Sequence, residues 1–137
     1  MKAIARRTRG FTHRVEIGGH RLLVDEPPSK GGNDEGPTPQ ELLAASLASC
    51  AAITLEMYAE RKGWDIGPVE VSCEYESAER GSPTAFTLVT RLACGEEQVE
   101  RLRAIAAKCP VRRMLEGEVM FDERVEIVTA AGAAPGD

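Results

Sequence analysis

The sequence has no Cys-x-x-Cys pair, and its two histidines, His13 and His20, lie near no pair of cysteines. Metal centres of the zinc type are built from closely spaced ligands, so none is expected. A dense basic cluster is also missing. The net charge is −5, and "ARRTRG" at residues 5–10 is too short a run to hold nucleic acid or an anionic membrane. The N-terminus has no apolar run of the signal-peptide kind, so the mature chain is expected to begin near Met1. The strongest apolar stretch, residues 42–55, is bracketed by Glu41 and Glu56. It falls short of the ~20 residues that span a bilayer. Contact with a membrane is not expected, and the expected location is the cytoplasm. No internal repeat is present.

What remains is an ordinary globular composition, with 42% hydrophobic and 28% charged residues in 137. That length fits one domain, read here as residues 1–128 with a frayed tail, 129–137. Short alternating runs at 2–10, 13–19 and 20–27 predict three strands, with Gly18-Gly19 as the turn between the last two. A loop rich in Pro, Gly, Asn and Asp follows at 27–37. Strands are predicted again at 68–77 and 84–94. Val69, Val71, Cys73 and Tyr75 share one face of the first, and Phe86, Leu88, Leu92 and Cys94 share one face of the second. A helix at 96–108, a short helix from Pro110 to Gly117 and a last strand at 119–128 complete the order. Strands and helices in this order predict an α+β fold with antiparallel sheet.

Between the two groups of strands lies "TPQELLAASLASCAAITLEMYAERKG", residues 38–63. Thr38, Pro39 and Glu41 form the signature of a capping box with proline at the first helical position, and Gly63 is the natural stop. The first half of this helix is apolar on nearly every side, so it should be buried on nearly every side. A chain this small can hardly wrap it alone, and a homodimer is expected.

Four cysteines, Cys50, Cys73, Cys94 and Cys109, stand 23, 21 and 15 residues apart. Cys73 and Cys94 alternate with core residues and read as packing. Cys109 sits at a predicted helix N-terminus beside Lys108, Arg112 and Arg113, a setting that predicts a lowered thiol pKa. Its plainer role is a small residue at a kink before Pro110. Cys50 shares its helical face with Leu43, Ser46, Leu47, Ile53, Thr54 and Met57, a setting that opposes ionisation unless a cation or dipole intrudes. Alone it reads as a core cysteine. Two buried thiols on different elements can nevertheless meet, one attacking an oxidant and the other resolving the sulfenic acid as a disulfide.

"GGNDEGPTPQELLAASLASC", followed by "KCPVRRML" with its cysteine 59 residues after the first, resembles the OsmC/Ohr family, that of osmotically inducible protein C and the organic hydroperoxide resistance protein. The resemblance implies intertwined homodimers in which antiparallel sheets wrap long central helices, with active sites at the dimer interface. It implies that Cys50 is the peroxidatic thiol and Cys109 the resolving one. It further implies an organic hydroperoxide as substrate and an external dithiol, typically a lipoylated protein, as reductant. Neither metal nor flavin is implied.

The chain departs from the family pattern at the helix opening. The well-characterised peroxidases carry Glu after the helix-opening proline, where it cooperates with an arginine to activate the thiolate. This chain carries Gln40 there and Glu41 one place later. At about 100° per residue, Gln40 lies about 80° from Cys50 around the helix and Glu41 about 180° away. Glu41 therefore cannot approach Cys50 of its own chain; in a dimer it could reach that of the other chain, so Gln40 and Glu41 stay among the possible helpers, although the capping box explains Glu41 without chemistry. The candidate cations in the preceding strands and loop are Lys30, Arg21 and Arg14. Two functions follow: a thiol peroxidase, favoured by Cys50 and Cys109, or a redox-sensing or hydrophobic small-molecule binder with little peroxidase activity, favoured by Gln40 and the unplaced arginine.

Overall fold

A computed structural model describes residues 1–129. Of the expected tail, residues 130–137 lie outside this range. Three strands open the chain: β1 (Ala3–Arg9), β2 (Thr12–Ile17) and β3 (His20–Val24). They form an antiparallel meander in which Arg6 faces Arg14 and Arg14 faces Leu23. Gly18 makes the β2–β3 turn with φ 58°, where a side chain would be strained.

The loop after β3 is tied down by one buried carboxylate. Asp25 accepts hydrogen bonds from the Glu26 N–H at 2.8 Å, the Thr12 hydroxyl at 2.9 Å, and the Asn33 and Glu35 N–H groups at 3.2 Å. Burial pushes its carboxyl pKa up, but the bonds from Glu26, Thr12 and Asn33, with the Arg9 charge, outweigh burial and hold it below the usual value. Gly36 passes so close to the Leu23 carbonyl that any Cβ would overlap it. These contacts deliver the chain to the helix start at a fixed angle.

The long helix, α1, spans Pro39–Lys62. Both halves of the capping box are made: the Glu41 N–H donates to Thr38 Oγ1 at 3.1 Å, and the Thr38 N–H donates to the Glu41 carboxylate at 2.9 Å. Gly63 ends the helix in the left-handed conformation, with φ 66°. The hairpin β4 (Glu70–Glu76) and β5 (Ala85–Arg91) follows, in antiparallel register with Cys73 opposite Leu88 and Tyr75 opposite Phe86. Two helices close the described chain, α2 (Glu96–Ala106) and α3 (Pro110–Glu116).

The core lies where α1 meets α2 and the hairpin. Leu55, Tyr58, Ala59, Ile66, Leu102 and Ile105 are buried together, with Trp64 and Leu92 packed against them. Arg101 Nε donates to the Tyr58 hydroxyl at 2.8 Å, which locks α2 onto α1.

Two expectations fail within one chain, for a shared reason. Only one stripe of α1 is buried: Ala44, Leu47, Ala51, Leu55, Tyr58 and Ala59. The opposite side exposes Leu43, Ile53 (55%) and Met57 (59%). The three-stranded sheet, among the described residues, has its substantial contacts only within itself, whereas α1 packs on β4, β5, α2 and α3. The strand expected at 119–128 pairs with nothing among the described residues. Its Met120, Phe121, Val125 and Ile127 are all exposed. A strand needs a neighbouring ladder, and the described residues supply none there. By length and composition alone α1 also qualifies as a membrane span, with a mean hydropathy of 1.5 in its best window. In this fold it is the helix on which the core is built.

Candidate active site

Cys50 lies near the middle of α1, on the edge between its buried and uncovered stripes, and is half-buried. It shares a helical row with Leu43 and Met57, seven residues away on either side. Cys109 comes from the other end of the fold. The α2 helix ends at Ala106, the chain turns with the Cys109 N–H bonded to the Ala106 carbonyl at 3.2 Å, and Pro110 starts α3. Proline suits that place because its missing N–H is not needed there. As the N-cap, Cys109 Sγ accepts the Arg112 N–H at 3.4 Å.

This turn packs α3 against α1 and puts Cys109 near enough to Cys50 for the Cys50 thiol to influence it. Cys109 is 1% exposed. Burial is the largest influence on its thiol and pushes the pKa up. The Arg112 and Val111 amides pull it down, the Cys50 sulfur adds to the rise, and the net result is a raised pKa. The expected lowering is therefore corrected. A helix of seven residues offers a weak dipole, and desolvation of the sulfur exceeds it. The neighbouring cations Arg112 and Arg113 point to solvent, and Arg112 spends its Nε on Glu116 at 2.8 Å.

The proposed helpers lie elsewhere in this chain. Lys30, in a 3-10 turn at Pro28–Lys30, faces Glu26 at 4.0 Å. Arg21 on β3 and Arg14 on β2 both approach Glu16, at 3.7 and 3.5 Å. Gln40 and Glu41 are exposed on the first turn of α1, and Glu41 is engaged in the cap. Their recorded partners are carboxylates and backbone, not Cys50. Cys73 is half-buried on β4 with its pKa raised by burial, and Cys94 packs against the core. Sequence reasoning missed the loop anchor of Thr12, Asp25 and Glu35, where Arg9 also pairs with Glu35. The one available signal was an acid following an apolar strand.

Beside Cys109 opens a cavity of about 620 Å³, lined by residues of α1, β5, α2 and α3. Cys109 and Cys94 stand in its wall, and Cys50 does not.

The fold is an α+β chain with antiparallel sheets and a long core helix that carries Cys50, against which the Cys109-Pro110 turn packs. A family model described as OsmC-like protein matches residues 31–124, and the chain belongs to that family. Its fold is also that of solved structures with low sequence identity. An organic hydroperoxide resistance protein OsmC from Legionella pneumophila matches with a TM-score of 0.65 at 23% identity, over 85% of this chain and 90% of that one. The organic hydroperoxide resistance protein OhrB of Bacillus subtilis matches with a TM-score of 0.61 at 24% identity, over 85% and 90%. An OsmC-like protein from Mycoplasma pneumoniae matches with a TM-score of 0.67 at 15% identity, over 85% and 86%. A search of curated proteins finds no match.

Proposed function

We propose that this protein is a cytoplasmic, homodimeric thiol peroxidase that reduces organic hydroperoxides. The observation that supports the reading is that α3, capped by Cys109, packs on α1, which carries Cys50, so that the Cys50 thiol influences that of Cys109. The Cys50 thiolate attacks the outer peroxide oxygen, the O–O bond breaks, and the alcohol leaves with a proton. Cys50 is then a sulfenic acid. The Cys109 thiolate attacks its sulfur, hydroxide leaves as water, and a disulfide remains. A dithiol, such as a lipoyl group on a partner protein, returns two electrons by thiol–disulfide exchange. The names of two relatives as organic hydroperoxide resistance proteins support this substrate class. The apolar residues Leu43, Ile53 and Met57 around the open side of Cys50 favour an organic peroxide over hydrogen peroxide.

Gln40, in the slot where known peroxidases carry Glu, favours the other reading, a redox-sensing or small-molecule-binding member of the family. Stopped-flow oxidation by tert-butyl hydroperoxide separates the two. The expected result is a Cys50 reaction far faster than that of free cysteine. A rate equal to free cysteine, with an apolar molecule copurifying, would establish the binder instead.

The raised pKa of Cys109 has a kinetic consequence. Below that pKa the thiolate fraction grows about tenfold per pH unit, so disulfide closure after the peroxide step should accelerate with pH between roughly 6 and 9. Quenched-flow trapping of the sulfenic acid measures it. A closure rate independent of pH across that range would mean that Cys109 is already ionised.

A further inference from the structure

Three arginines, one from each strand of the three-stranded sheet, converge on a single carboxylate. Arg6 on β1 donates to Glu16 Oε2 at 3.0 Å. Arg14 on β2 and Arg21 on β3 both approach the other oxygen, Oε1, at 3.5 and 3.7 Å. The register explains the convergence. Arg6 stands directly opposite Arg14, and Glu16 directly opposite Arg21. Directly opposed residues of an antiparallel pair share a face, as do alternate residues of one strand. All four side chains are thus on the same side of the sheet.

Along β1, β2 and β3, Glu16 is the one acidic residue. Among the described residues no ion pair ties Arg14 or Arg21 to a second acid. Their separations from Glu16 are long for hydrogen bonds, so both lie in the field of one oxygen without being saturated by it. Most of each guanidinium's donors stay open. Arg14 also faces Arg6, and like charges directly opposite each other cost a sheet stability. An anion bound at Arg14 and Arg21 would offset that cost. The opposite face of the sheet holds Ala5, Val15, Leu22 and Val24. That apolar side is the one suited to pack on a second copy, which leaves the arginine side to solvent. Arg14 is 48% exposed there and Arg21 74%.

We infer that Arg14 and Arg21 form a binding site for a phosphate monoester. The choice follows from donors and charge. A carboxylate has two oxygens and one charge, which a single arginine fork already matches. A phosphate monoester offers three terminal oxygens and a charge of about −2, which suits two guanidinium groups aimed at one point. A phosphate diester keeps only one charge. Neither arginine belongs to the thiol pair or lines the cavity beside Cys109. Binding here therefore stands or falls independently of the peroxidase reading.

The test is NMR titration of the full chain at low salt with methyl phosphate, dimethyl phosphate and acetate, followed at backbone N–H and arginine Nε–H signals. Methyl phosphate is expected to shift the signals of Arg14 and Arg21 and to bind at least about tenfold more tightly than the other two, because it alone brings both the charge and the third oxygen. Its binding should weaken as salt is raised. In the double variant Arg14→Gln, Arg21→Gln its affinity should fall at least about tenfold. In Arg103→Gln, which removes an exposed, ion-paired arginine of α2, it should be unchanged. The spectrum itself reports whether the double variant folds; if it does not, the two single substitutions carry the comparison, each expected to weaken binding. Dimethyl phosphate binding as tightly as methyl phosphate would point to a nucleic-acid or lipid backbone and overturn the assignment. Equal binding of acetate, no shift at Arg14 and Arg21, or binding that survives their loss would overturn it as well.

Discussion

Cys50→Ser will have no hydroperoxide turnover above background, whereas Cys109→Ser will complete one turnover and stop at the sulfenic acid. Only the attacking sulfur is needed to break the O–O bond. The second sulfur converts a vulnerable sulfenic acid into a disulfide that a dithiol can reduce. The two variants should therefore differ in kind. With excess tert-butyl hydroperoxide and a dithiol, steady-state turnover should fall by several orders of magnitude in Cys50→Ser. A pre-steady-state burst of one equivalent should persist in Cys109→Ser and be absent in Cys50→Ser. Mass spectrometry should then find Cys50 of Cys109→Ser carried on to sulfinic acid as peroxide is increased. Full turnover in Cys50→Ser would remove Cys50 from the mechanism. Cys73→Ser and Cys94→Ser are expected to behave as wild type, because both read as packing residues.

The second large effect concerns assembly. Light scattering at micromolar concentration should give twice the 14.8 kDa chain mass. The uncovered stripe of α1, the three-stranded sheet and the segment after α3 all lack a packing partner among the described residues of one chain. One symmetric copy can cover all three, and two-fold dimers are the commonest way to bury such a surface. Ile53→Glu with Met57→Glu places two charges on the α1 stripe, and the dimer dissociation constant should rise on the order of a hundredfold or more. Because Cys50 lies in the same helical row as Met57, that variant should also oxidise more slowly at Cys50. A wild-type chain of monomer mass would reject the assembly. A dissociated variant with unchanged oxidation kinetics would instead show that the partner does not complete the site.

Much of this was legible in the sequence because the deciding interactions are local. Thr38, Pro39, Glu41 and Gly63 fix α1 through bonds that span at most a few residues. The alternation of Val71, Cys73 and Tyr75 fixes the face of β4, and Cys109-Pro110 fixes the start of α3. The rest depends on contacts distant in sequence. The Cys109 pKa followed burial by α1, which no count of nearby arginines reveals. Residues 119–128 have the pattern of a strand, but pattern does not supply a ladder. The pairing of Cys50 with Cys109 comes from family resemblance; the fold adds the turn from Ala106 to Pro110, which packs α3 on α1.

The central claim is that Cys50 and Cys109 act as one redox pair within a chain. Reduced protein treated with one equivalent of cumene hydroperoxide, alkylated and digested without reductant, reports the pairing directly. The account predicts one dominant disulfide-linked peptide joining Cys50 to Cys109 of the same chain, with Cys73 and Cys94 recovered alkylated. A main bridge through Cys73 or Cys94, or one that joins two chains, would contradict it.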